Sequence, residues 1–223
     1  MSVSAQILQS WNANAANWIA TIDNAELESR VLVTNEAIVN AVCSYDCSTI
    51  LDIGCGEGWL TRSLRRKGKQ AFGVDAVGAL IENAIAKDGD FYEKISYKEL
   101  AEGKRPRQQL SDAAVINFAL IDKDETEKLI DAIPGCLVKN GLLFIQTLHP
   151  LVMAAAGDYA SGWKDGSWNG MKRNFEQPYQ WWFRTLEDWI QLFSAKYQLL
   201  AVREPVHPVT KKPVSLLFIL QTK

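Results

Sequence analysis

Residues 50–61 read ILDIGCGEGWLT. Apolar residues around one aspartate run into glycines at positions 54, 56 and 58 and then into Trp59. Glycine directly after a strand lets the chain turn tightly and lets backbone amides approach a ligand with no Cβ in the way. The spacing decides which ligand. A dinucleotide-binding turn is G-x-G-x-x-G, and its third glycine lets helix and strand pack closely. Here the spacing is G-x-G-x-G, and Trp59 stands where that third glycine would fall. A bulky indole argues against a pyrophosphate cradle, and without a following Gly-Lys-Ser/Thr the loop is not a P-loop.

Outward from this loop the chain alternates. TILDIG (49–54) and QAFGVD (70–75) read as strands, and WLTRSLRRKG (59–68) and ALIENAIAKDG (79–89) as helices stopped by Gly68 and Gly89. A short strand is expected within EKISYKEL (93–100), and another opens DAAVINFALI (112–121). A helix is expected over 124–138 and a strong apolar strand over GLLFIQTLHP (141–150). Thr185 and Asp188 open a further helix with a capping signature. QLLAVREP (198–205) and VSLLFILQT (214–222) close the chain as two strands. Residues 4–45 read as two helices broken near Thr21–Asn24. Apolar strands alternating with helices predict an α/β, Rossmann-like fold with a mostly parallel sheet covered on both faces. Such sheets bind ligands outside the carboxyl ends of their strands.

Composition narrows the function. The chain has 223 residues, 48% of them hydrophobic, and a formal net charge of −2. It offers no basic stripe of the kind that holds nucleic acid. Its densest basic run, Lys104, Arg105 and Arg107, reads as a solvated loop. No apolar run approaches the ~18 residues of a membrane span, and the N-terminus lacks the basic and apolar regions of a secretory signal. Cys43, Cys47, Cys55 and Cys136 match neither a disulfide framework nor a zinc spacing, so no metal is expected. A reducing, cytoplasmic setting is the corresponding expectation.

ILDIGCGEG resembles motif I of the class I S-adenosylmethionine-dependent methyltransferases, within their small-molecule branch that includes ubiquinone-biosynthesis methyltransferases. The resemblance runs motif by motif over roughly 48–150. It implies a seven-stranded, mostly parallel sheet whose last strand is antiparallel, and S-adenosyl-L-methionine as cofactor. It implies that Asp52 and the loop residues Gly54, Cys55, Gly56 and Gly58 hold the methionine part. It also implies that Asp75, 21 residues past Gly54, accepts from the ribose hydroxyls and that Ala76 beside it is a cofactor-binding residue. A carboxylate has the acceptor geometry for a vicinal diol. Glu99 and Leu100 correspond to the segment lining the adenine, and Asn117 and Phe118 to the sulfonium end, with ordinary core the other reading for Phe118. SWNANAANW (10–18) resembles the helix that covers the cofactor, so Trp18 either packs over the site or in the core.

The expected organisation is one methyltransferase domain: a helical cap at 1–45, the cofactor core at 48–150, a lid insert at 151–183 and a helix with two strands at 184–223. Between Tyr159 and Trp189 lie five of the eight tryptophans. Within the insert Trp181, Trp182 and Arg184 are candidates for an apolar or planar acceptor, Arg184 pairing with an acceptor carboxylate or with Glu187. The two histidines, His149 and His207, each precede a proline at a ligand-side strand end. They are the candidates for a general base or acceptor contact, the alternative being that both imidazoles anchor loop backbone. The expected activity is methyl transfer to a small molecule on an O, N or C atom. The alternatives are a protein or RNA methyltransferase, or a non-catalytic cofactor-binding regulatory or accessory protein.

Overall fold

The apolar runs form strands in a computed structural model that describes residues 2–155, 157 and 159–223. β1 is Thr49–Ile53, β2 Gln70–Asp75, β3 Tyr92–Lys94, β4 Ser111–Asn117 and β5 Leu137–Leu148. β6 (Gly162–Lys164) and β7 (Trp181–Phe183) make a separate two-stranded ladder; β8 (Tyr197–Arg203) and β9 (Ser215–Thr222) rejoin the main sheet. The order is β3-β2-β1-β4-β5-β9-β8. β1 to β5 pair in parallel, and β9 runs antiparallel between β5 and β8. β8 therefore runs in the same sense as β5. The carboxyl ends of β1, β2, β4, β5 and β8 meet at one edge. The strand order reverses between β2-β1 and β4, which opens the crevice where sheets of this kind take ligands.

Both sheet faces are apolar because alternate residues of every central strand need cover. The helices are α1 (Val3–Asp23), α2 (Asn35–Cys43), α3 (Trp59–Arg66), α4 (Gly78–Asp88), α5 (Tyr97–Ala101), α6 (Asp124–Ala132), α7 (Leu151–Ala155) and α8 (Leu186–Ser194). Ile50, Val115, Phe144 and Leu217 pack against Ile38 of α2 and against Leu60 and Leu64 of α3. Ile116, Ile145 and Phe218 pack on the other face against Leu129 of α6 and Trp189 and Phe193 of α8. Each such side chain contributes about 1.5–3 kcal/mol by leaving water.

Three boundaries differ from the sequence reading. The helix expected to reach 138 ends at Ala132, because Pro134 and Gly135 tighten the chain into a 3-10 turn and Leu137 already belongs to β5. In 93–100 the strand stops at Lys94. Ser96 and Glu99 then form a capping box that starts α5. Between α1 and α2 lies a π-helical turn, Arg30–Thr34, of a type often found at functional sites. Thr185 caps α8 as expected, its hydroxyl accepting from the Asp188 amide.

The aromatic insert is clasped to α1. The Trp11 indole donates to the Tyr179 hydroxyl at 3.1 Å, and the Trp168 indole donates to Ser10 Oγ at 2.9 Å. Asn14 makes both amide bonds to the Glu176 backbone, at 2.7 and 2.8 Å. Arg173 closes the far end on Glu26 at 2.6 Å. The indole of Trp11 also meets those of Trp18 and Trp168 edge to face.

Candidate active site

All three glycines of the loop hold left-handed backbone, with φ of 72° at Gly54, 59° at Gly56 and 84° at Gly58. The space is as restrictive as the angle. A Cβ at Gly54 would lie 2.6 Å from the Ala119 Cβ and 2.6 Å from the Tyr97 hydroxyl, and one at Gly58 would lie 2.6 Å from the Tyr92 ring. The loop is laid over the end of β2, where the amides of Gly54 and Cys55 both donate to the Val74 carbonyl. The Cys55 side chain is buried, and burial raises its thiol pKa.

Asp75 ends β2 and ties the loop down. One carboxylate oxygen accepts from the Gly56 amide at 2.9 Å and the other from the Val77 amide at 2.9 Å. A carboxylate has about four acceptor positions, so lone pairs remain for a diol. Burial raises its pKa, opposed by the bonds from Val77, Gly56 and Ala76. Asp52, 1% exposed, accepts from the Thr61 hydroxyl of α3 at 2.7 Å. Loss of solvation lifts its pKa to about 7, and the nearby Glu57 and Asp75 add to the rise.

Trp59 has an occupation of its own. The Arg30 guanidinium, from the π-helical turn, sits 4.9 Å from the Trp59 ring centre and 5.6 Å from that of Trp18. Trp18 Nε1 in turn lies 3.6 Å from where a Gly56 Cβ would be, which puts this indole over the loop. Burial lowers the Arg30 pKa to about 10, against the charge of Glu57. Glu57 is paired with Arg62 through Oε1, while its Oε2 and Arg30 Nη2 are buried without partners among the described residues. Buried charged groups left open in this way suit a ligand carrying both an ammonium and a carboxylate. Arg30, Thr61 and Tyr97, whose hydroxyl donates to the Ala119 carbonyl at 2.9 Å, were not singled out in the sequence. Arg30 lies beside a plain apolar stretch and carries no motif.

The residues expected at the adenine are engaged locally. The Glu99 carboxylate accepts from the Ser96 amide and hydroxyl, both at 2.8 Å, and pairs with Lys104. Those Ser96 bonds hold its pKa low. Leu100, 2% exposed, belongs to the core beneath the sheet. Both arrangements follow from the short capped helix α5. Asn117 ends β4 at the ligand edge, with its Oδ1 buried and unpartnered among the described residues. Phe118 follows at φ 54°, a strained angle for a bulky residue, and its amide donates to the Gln146 carbonyl at 2.8 Å.

The histidines lie at the ligand edge, but their strands are not neighbours, because β9 runs between β5 and β8. His149, 5% exposed, has both ring nitrogens engaged: Nε2 meets Glu204 Oε1 at 2.7 Å and Nδ1 accepts from the Leu151 amide at 3.2 Å. His207 Nδ1 accepts from the amides of Val209 and Thr210 at 3.2 and 3.3 Å. Both rings are hydrogen-bonded within or between loops. Arg184 also departs from expectation. It is 4% exposed and bonds the Lys123 carbonyl and Glu127, not Glu187, with its guanidinium 5.2 Å from the Trp189 ring centre. The Trp181 indole donates to the Asp165 carbonyl, and Trp182 meets Trp163 edge to face at 5.3 Å. These side chains build the insert's own hairpin. The basic run is only partly solvated: Lys104 pairs with Glu93 and Glu99, and Arg107 lies over the Phe72 ring at 4.3 Å.

A family profile described as a methyltransferase domain matches residues 28–200, from the π-helical turn to β8. The chain belongs to the methyltransferase-domain family. The methyltransferase is 31% identical over 101 residues to a ubiquinone biosynthesis O-methyltransferase of Pelagibacter ubique, covering 45% of this chain and 42% of that one. It is 26% identical over 136 residues to phosphoethanolamine N-methyltransferase 1 of Triticum aestivum, covering 56% of this chain and 27% of that one. The methyltransferase thus spans less than half the length of these curated relatives. In structure it resembles the DhpI–SAH complex, with a TM-score of 0.68, 16% identity and coverage of 99% of this chain and 96% of that one. That likeness establishes a class I methyltransferase fold. Among the described residues no helix is long and apolar enough to cross a membrane.

Proposed function

We propose that the protein transfers the methyl group of S-adenosylmethionine to a small-molecule acceptor. The observation that carries this is the left-handed glycine loop locked onto the Asp75 carboxylate at the strand-order reversal. The cofactor, when bound, supplies an already activated methyl on a sulfonium. The chain's own task is then proximity and alignment. Asp75 accepts from the ribose hydroxyls and the loop backbone lies against the methionine part. Arg30 answers the carboxylate, and Glu57 with Asp52 answers the positive groups. Trp18, on α1, excludes water from above. The clasp between α1 and the aromatic insert favours a small acceptor, since it roofs the edge that a macromolecule would need open. Family membership supports the activity, and the two curated relatives, one named for O- and one for N-methylation, leave the atom to this chain's own chemistry.

Isothermal titration tests the reading. Both S-adenosylmethionine and S-adenosylhomocysteine are expected to bind. Response to a nicotinamide dinucleotide and to neither sulfur nucleoside would overturn it. A binder that never releases S-adenosylhomocysteine with any acceptor would be an accessory protein.

Asp52 adds a pH signature. Its pKa of about 7 in the fold, against an ordinary 3.8, means that the folded chain holds a proton which the unfolded chain has lost. The stability of the free protein therefore falls as pH rises from about 4 through 7. A bound cation favours the ionised carboxylate, so binding expels that proton below pH 7. Affinity for S-adenosylmethionine is expected to rise toward about tenfold per pH unit between 5.5 and 7 and then level off. Asp52→Asn should flatten that slope in a titration series. A slope unchanged in the variant would remove Asp52 from the binding site.

A further inference from the structure

The geometry points to a primary amine as the methyl acceptor, its two N–H bonds received by Asn117 Oδ1 and Gln146 Oε1; this rests on the methyltransferase reading above. Asn117 and Gln146 are register partners on parallel strands β4 and β5, so their side chains leave the same face of the sheet. It is the face of Asp52, since Asp52 pairs with Val115 and Val115 with Phe144. Both residues stand at the ligand edge, just before the strained turn at Phe118. Gln146 is 1% exposed, and its Nε2 donates to Ser215 Oγ at 2.9 Å. That bond occupies the donor end of the amide. Among the described residues, the oxygens of both amides are buried with no partner.

Buried acceptors without donors are rare in folded proteins, and each calls for an explanation. Two of them, on adjacent strands about 4.8 Å apart, match a group that carries two hydrogens on one atom. A neutral NH2 fits this description and keeps its lone pair free. A hydroxyl carries one hydrogen and must lose it for efficient attack. The histidines bear on the same choice. His149 has both ring nitrogens engaged and His207 uses Nδ1 on two backbone amides, so both imidazoles are tied into loops. A neutral amine attacks through its lone pair without a base; an aliphatic amine, an ammonium ion near pH 7, first gives up that extra proton to water. Its nitrogen lone pair forms the new C–N bond as the C–S bond breaks, and the bonding electrons remain on sulfur as a neutral thioether. Nitrogen takes up the positive charge, then loses one proton to water.

The test uses matched pairs of primary amines and alcohols of the same skeleton, 2-phenylethylamine against 2-phenylethanol among them. Each is incubated with the full chain and S-adenosylmethionine, and S-adenosylhomocysteine and methylated product are followed by mass spectrometry. Methylation confined to the amines is the expected result. Methylation of the alcohols at comparable rates, or of no amine, overturns the inference. Reversing the Gln146 amide would present Nε2 instead and suit an acceptor oxygen, which is the case the alcohols report. Absence of cofactor binding would instead sink the methyltransferase reading, and calorimetry detects that separately. Gln146→Met should lower kcat/KM for the amine about tenfold and weaken amine binding to the S-adenosylhomocysteine-loaded protein, with cofactor affinity unchanged. Gln146→Glu, which keeps an acceptor there, should retain most activity. A lower melting temperature with kcat/KM unchanged in Gln146→Met would mark a purely structural amide and overturn the assignment.

Discussion

Gly54→Ala is expected to abolish cofactor binding and to destabilise the fold. The new Cβ would fall 2.6 Å from both the Ala119 methyl and the Tyr97 hydroxyl, and the residue would have to keep φ near 72°. A left-handed angle costs a non-glycine residue about 1–2 kcal/mol, and overpacking adds roughly 1–3 kcal/mol. For a chain of this length that sum lowers Tm by roughly 5–15 °C. Tyr97 can relieve the clash only by giving up its bond to the Ala119 carbonyl, which moves the segment after β4. Thermal melts and calorimetry on one preparation suffice as the check. Wild-type affinity in Gly54→Ala would mean that the loop has more room than its contacts allow.

Asp75→Ala should weaken S-adenosylmethionine and S-adenosylhomocysteine binding alike. Bonds to a charged acceptor are worth about 1.5–3 kcal/mol, or roughly ten- to more than a hundredfold in Kd. The loss should exceed that of a carboxylate serving the ligand alone, because Asp75 also holds the Gly56 and Val77 amides. Asp75→Asn is expected to recover little of it: an amide presents one oxygen and one NH2, and the NH2 would face a backbone donor. Unchanged affinity in a folded Asp75→Ala would take the ribose away from this residue.

The sheet was legible because its signal is redundant. β1 and β2 begin and end within a residue of the expected bounds, since apolar runs, glycine stops and the acid at position 75 all agree. The helix over 124–138 misled because Leu137 and Val138 continue an apolar pattern that Pro134 and Gly135 had already broken. Side-chain partners were less legible still. Glu99 matched a family position, yet the serine three residues earlier made it a capping residue. Arg184 found Glu127 on a distant helix instead of Glu187 beside it. His149 showed no partner in the sequence because nothing local announces Glu204, which lies 55 residues away. Arg30, Gln146 and Ser215 belong to no motif, and only the fold gives them their surroundings. Their unpartnered or cross-strand atoms are a property of burial, which composition and spacing do not encode.

The clasp between α1 and the insert has a bearing on the order of assembly. It joins positions separated by 147 residues at Glu26–Arg173 and by 168 at Trp11–Tyr179. During synthesis the first helix leaves the ribosome long before its partners exist. Trp11 and the Asn14 amide then wait for partners that lie 168 and 162 residues further along the chain. Closure over so long a loop is slow compared with local pairing. The earliest helix to form is thereby among the last to be seated, and its seating closes the roof over a crevice that the central strands have already built.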